Sequence, residues 1–293
     1  MKEIACIILT FFAFQISAQL PATQLFHFKL TEVNGKYNLS KPRWLNQFNP
    51  KGYNNQPYFV NQDEVYISVQ LPTDTTQTDI YSLNLVTKIL TKITATAESE
   101  YSPKLIPGTS DFSVVRVDAT KDKTQRLWQY PLNRSGGGKV IGENIEGVGY
   151  YHWINGEKAL LFLVNNPQNE LCLLSKTDNK IQKLRQVPGR CFSALNNGNI
   201  AFIEKTSEAE TPILSLDPQT LKTRFIINTL PESEDFVVAE NGTFFMGKNA
   251  YFYKFNPSTD KDWIQIANLR EYGIKKIERL ALNKLGDLIM VTK

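Results

Sequence analysis

Beyond an apolar opening stretch, the chain carries short hydrophobic runs, alternating or continuous, separated by turn residues. The runs at 65–69, 112–117, 159–164 and 200–203 consist mainly of β-branched, aliphatic and aromatic residues. Those side chains fit a half-buried pleated surface. No sustained 3.6-residue stripe with capping residues follows the first eighteen positions, so the pattern predicts an all-β protein.

The turns set a period. Gly108, Gly156, Gly198, Gly242 and Gly286 precede successive strands and stand 48, 42, 44 and 44 residues apart. Tight hairpins need positive φ, which glycine supplies with little strain. A second series of polar turns, at 83–88, 175–180, 216–220 and 255–259, keeps phase with the first. Two interleaved series indicate an internal repeat. Each unit reads as four strands, A to D from the inside out. The first covers 56–60, 65–70, 79–83 and 89–94, and the second 102–106, 112–117, 126–130 and 139–141. Three more units span 149–187, 192–228 and 235–267. Two strands remain at each end, 277–282 with 287–291 and 25–30 with 36–39. The expected architecture is therefore a single-domain six-bladed β-propeller over 19–293, its last four-stranded blade closed by strands from both termini. Ring closure removes the exposed edges of a linear array.

The motifs Asp79-Ile80-Tyr81-Ser82-Leu83-Asn84, Leu90-Thr91-Lys92-Ile93-Thr94 and Tyr101-Ser102-Pro103-Lys104-Leu105-Ile106-Pro107-Gly108 resemble the WD40-like (PD40) repeat of TolB-like six-bladed β-propellers. Gln56-Pro57-Tyr58-Phe59 is similar to the first strand of that repeat. The resemblance covers the first two units and is only periodic further on. Gly108 follows Pro107, where the family usually has Asp before Gly.

Composition narrows the function classes. The 293 residues are 42% hydrophobic and 21% charged, with a net charge of +4. Nothing here forms the clustered basic stripe of a nucleic-acid protein. Lys2, the apolar run 4–16 and the small residue Ala18 form a secretory signal over 1–18, with cleavage leaving Gln19 first. A bilayer span needs about 20 apolar residues, and this run falls short. The mature protein is expected to be periplasmic or extracellular, monomeric and without a membrane span. An intact mass beginning at Gln19 in exported material checks the cleavage, and retention of 1–18 refutes it. Cys6 leaves with the signal, so Cys172 and Cys191 remain; an oxidising compartment permits their pairing as a disulfide, with two separate buried thiols as the alternative. Only His27 and His152 are present, and structural zinc is not expected.

Hydrolase chemistry finds no motif. Gly-x-Ser-x-Gly does not occur, and Ser135-Gly136-Gly137-Gly138-Lys139-Val140 lacks phosphate-loop spacing. The loops entering the A strands gather at one channel mouth, which makes Asn55, Glu100, Tyr101, Tyr151, His152, Arg190, Asp235 and Glu278 the candidate ligand-binding residues. Asn54 and Glu234 stand beside them. Carboxylates converging there could hold calcium, as in lactonase propellers. Tyr150, Tyr151 and Trp153, like Tyr251, Phe252 and Tyr253, read first as bulk between blades and second as a stacking platform. The expectation is a non-enzymatic module, without cofactor, that binds protein, peptide or glycan at the channel mouth. The alternative is a calcium-dependent small-molecule hydrolase, lactonase or lyase using the mouth carboxylates.

Overall fold

A computed structural model describes residues 20–119, 122–207 and 210–293. The signal stretch 1–18 lies outside the described residues. Six four-stranded antiparallel blades surround one axis, as the turn period predicts. Their innermost A strands are Tyr53–Phe59, Ser99–Leu105, Val148–Trp153, Pro188–Ala194, Phe236–Val238 and Ile277–Leu282. In blade six the order from the axis is Ile277–Leu282, Asp287–Thr292, Gln24–Val33 and Lys36–Leu39. Gln24–Val33 pairs with Asp287–Thr292 in an unbroken register from Gln24 opposite Thr292 to Lys29 opposite Asp287. A short strand, Arg43–Trp44, adds to the same terminal strand.

Six apolar clusters fill the spaces between neighbouring blades. Alternation along the strands drives this, because each blade has two faces and both are covered. The B strands, such as Glu64–Gln70 and Lys158–Leu163, are therefore almost continuously buried. Tyr151 and Trp153 act as interblade bulk. The Tyr151 hydroxyl donates to the Ser102 carbonyl at 2.8 Å, and Trp153 Nε1 donates to Ser113 Oγ at 2.8 Å, both in blade two. Gly286 turns the A–B corner of blade six with φ +82°, and a Cβ there would stand 2.3 Å from the Leu30 carbonyl oxygen. Only glycine fits so close a backbone approach.

Of the two possibilities for Cys172 and Cys191, the structure has the second, two free, buried thiols without a bridge. Cys172 packs in the layer between blades two and three, and Cys191 in that between blades four and five. The apolar layer between blades three and four separates them. The Cys191 thiol donates instead to the Phe236 carbonyl at 3.1 Å.

Candidate functional site

Each A strand ends in a turn closed by one backbone N–H, from Val60, Ile106, Ile154, Leu195, Ala239 and Asn283 in blades one to six, at 2.8–3.0 Å. Counting back from these six positions gives a common frame for the bore. Four residues earlier stand Gln56, Ser102, Tyr150, Cys191, Asp235 and Arg279, and all six line a narrow cavity of about 130 Å³. Two residues earlier stand Tyr58, Lys104, His152, Ser193, Val237 and Ala281, and all six line a wider cavity of about 630 Å³ at the A–B end. In five blades the pairing of A with B shifts register just before or within this stretch. Gln56 and Ser102 both take φ +54°. Bulges of this kind re-aim side chains.

The narrow ring is charged and braced across the axis. Arg279 of blade six donates to the hydroxyl of Tyr150 in the opposite blade three at 3.0 Å, and its guanidinium lies 5.1 Å from that ring's centroid. Its Nη1 stands 3.9 Å from Asp235 Oδ2, while Asp235 Oδ1 accepts the Leu280 N–H at 2.8 Å. Burial pushes the Asp235 carboxyl up, opposed by Arg279, Arg190 and Lys104. Arg190 donates to the Glu278 carbonyl at 3.1 Å and faces Glu234 at 3.8 Å.

The wide cavity differs. Phe59, Phe192, Val237, Leu280 and Leu282 give it apolar walls. Lys104, which lines both cavities, makes no ion pair among the described residues; its recorded contact is the Tyr151 ring, 5.9 Å from Nζ to the centroid. Burial lowers the pKa of its ammonium. His152 is held neutral, its pKa pushed down to about 3, first by burial and then by Lys104. Its Nδ1 is buried without a hydrogen-bond partner.

The expected mouth residues therefore scatter. Arg190 and Asp235 do line the narrow cavity, and Glu278 joins them in a rim pocket at the D–A end. His152 opens onto the opposite, A–B mouth. Tyr151 lies mainly between blades, touching only the bore wall, and Tyr101 is half-buried beside the same apolar cluster. Asn55 is buried, its side-chain oxygen accepting the Gln56 N–H at 2.8 Å. Glu100 is fully buried away from the bore. Thr94 donates to it at 2.9 Å, Tyr130 at 3.3 Å, and Thr96 closer still. Burial pushes its carboxyl up to about 7. Sequence reasoning missed Gln56, Tyr58, Lys104, Tyr150 and Arg279. The signal for them was spacing counted back from the A–B turns rather than forward from the strand starts.

The carboxylates do not make a calcium cage. Glu100 is enclosed by hydroxyls, Asp235 faces two arginines, and Glu278 is held below the usual carboxylate range by Lys276 and Lys293 despite its burial. Calcium takes six to eight converging oxygens. Among the described residues no group of three His, Cys, Asp or Glu side chains is placed to hold a metal ion, and no helix is long and apolar enough to cross a membrane.

No protein-family model matches the chain, and no curated protein matches it. Solved structures do. A chain of the nidogen/laminin complex superposes with TM-score 0.64 at 9% identity, covering 92% of this chain and 98% of the other. TolB from Acinetobacter baumannii gives 0.57 at 12%, covering 92% and 64%. An oligogalacturonate lyase in complex with manganese gives 0.51 at 12%, covering 93% and 98%. At these identities the likeness speaks for the fold, not the activity. The chain folds as a six-bladed β-propeller, similar in fold and at low identity to TolB and to other solved propellers.

Proposed function

We propose that the protein is an exported, non-enzymatic binding module that takes a protein, peptide or glycan segment at the A–B mouth of its channel. The observation that carries this reading is the 630 Å³ cavity on the axis, to which all six A strands contribute a side chain. Concave, largely apolar sites with a few polar groups are the usual form of ligand pockets. The opposite end offers charges already matched to one another, which leaves less for a ligand to gain. The site also lacks the pairing that catalysis asks for. His152 is held neutral, and among the described residues its Nδ1 has no hydrogen-bond partner, neither an orienting carboxylate nor a nucleophile.

Val237→Arg places a long side chain across the mouth from a short strand. In a screen of peptides and glycans, every ligand of the unmodified protein is expected to lose more than about tenfold in affinity against this variant, provided its melting curve is unchanged. A ligand that binds both forms equally, or one that is turned over, overturns the reading.

A further inference from the structure

Resting on the mouth assignment above, we infer that the occupant is a peptide C-terminus, its free carboxylate seated on Lys104 and its apolar last side chain packed in the wide cavity. Charge leads to the first half of this. Lys104, Arg190 and Arg279 converge on the bore, whose inner wall holds a single carboxylate, Asp235. Asp235 already faces Arg279, and Arg190 is spoken for by Glu234 and the Glu278 carbonyl. Lys104, at the junction of the two cavities, makes no ion pair among the described residues; its nearest counter-charge is the more distant Asp235, already engaged by Arg279. A desolvated ammonium with no anion is costly, and a carboxylate brought to it forms a strong charge-assisted hydrogen bond.

The neighbours fit the same group. Tyr58, whose hydroxyl can donate, lines both cavities together with Lys104. His152 lines the same cavity and is held neutral by burial, so it adds no competing positive charge. Lys104 and Tyr58 line the same cavity, and a cationic ammonium there favours a carboxylate over a neutral amide or a sugar hydroxyl.

The walls determine what the carboxylate is attached to. Phe192, Val237, Leu280 and Leu282 are apolar and line the space above Lys104. Each A strand pairs with only one neighbour, its B strand, so no further strand covers its inner edge. Near the narrow ring the Leu280 N–H, the Ser102 N–H and the Glu278 carbonyl are taken by side chains, which leaves the edge nearer the A–B mouth. An extended chain entering from the A–B mouth can use that edge, as in terminal-carboxylate capture by backbone and side-chain donors. A free fatty or aryl acid carries the same carboxylate and apolar body but cannot use the strand edges.

The test uses the purified protein and fluorescein-labelled Gly-Ser-Gly-Leu-Phe in two forms, free acid and C-terminal amide, with octanoate as competitor. The acid is expected to bind more than about tenfold tighter than the amide, and Lys104→Met to bring the acid down to the amide's level. Loss of an unpaired buried ammonium should not lower the melting temperature, and Lys104→Gln provides a second variant should Lys104→Met fold poorly. Equal binding of acid and amide, with both lost in Val237→Arg, overturns the carboxylate inference and leaves the mouth reading standing. Octanoate that outcompetes the peptide overturns the peptide source. Peptide binding that Val237→Arg leaves intact defeats both inference and mouth reading, and no binding of either peptide at about 1 mM defeats the inference.

Discussion

The two ends of one channel are built from the same six strands, yet they use polar groups in opposite ways. Toward the D–A end, Arg279, Tyr150, Asp235 and Arg190 answer one another across the axis. Toward the A–B end, only two residues further along each strand, a lysine and an imidazole nitrogen stand unanswered among apolar walls. Buried charges that are matched hold the blades in place, and removing one partner exposes the other. Polar groups left unmatched contribute no such brace, and Lys104, which lines both cavities, stays available to something that arrives from outside. The contrast separates architecture from binding capacity better than either cavity's size does.

The largest blow to this comparison should come from Arg279→Met. It takes from Asp235 its nearest cation, leaving the more distant Arg190 and Lys104, and frees the Tyr150 hydroxyl; a broken buried pair typically costs about 3–5 kcal/mol. Denaturant melts should show that loss at pH 7, with Asp235→Asn recovering much of it in the double variant. If the single variant melts like the parent, the strut across the axis is not a brace.

Smaller effects follow from two groups whose burial acts in opposite senses on pH. The Glu100 carboxyl, raised to about 7, stays protonated in the fold while the unfolded chain ionises near 4.5. Its contribution therefore falls as pH rises from about 4.5 to 7, by at most about 3 kcal/mol. Glu100→Gln should flatten that decline in melts taken at pH 5, 6 and 7. His152, lowered to about 3, stays neutral in the fold while the unfolded chain takes up its proton below about 6.5. Its contribution is present at pH 7 and falls by about 2 kcal/mol on going to pH 5. His152→Gln should remove that acid-side loss and leave stability at pH 7 nearly as it was. Identical pH profiles for parent and variants would mean that neither group is as desolvated as its packing implies.

The fold was legible because turns obey local rules. Gly108, Gly198, Gly242 and Gly286 do take positive φ, and the 44-residue spacing follows from them. Blade six was legible for the same reason, as two strands left over at each end. The site was not. Position at the entry of an A strand placed Glu100 and Tyr101 at a mouth, but the strand shifts register between Tyr101 and Lys104, Glu100 lies inward between blades, and Lys104 lines the bore. A bulge inserts its offset without a dedicated residue type; Gln56 and Ser102 carry the same φ with unrelated side chains. The pairing of Cys172 with Cys191 failed for a related reason. Distance along the chain was short, but a whole interblade layer stands between the two thiols.

Blade six has a further consequence, for the order of events in folding. His27 and Asp287 are hydrogen-bonded at 3.0 Å although 260 positions separate them. Loop closure over such a span is entropically slow, and contacts this remote in sequence set the late steps of folding. Blades one to five can each form from a continuous stretch as it emerges. The strand Gln24–Val33 appears first and must wait for Asp287–Thr292, so its inner edge stays unpaired for nearly the whole of synthesis. An exposed edge of that kind invites pairing with another chain. Refolding should thus be sensitive to protein concentration until the last strand docks, and insensitive once the ring has closed.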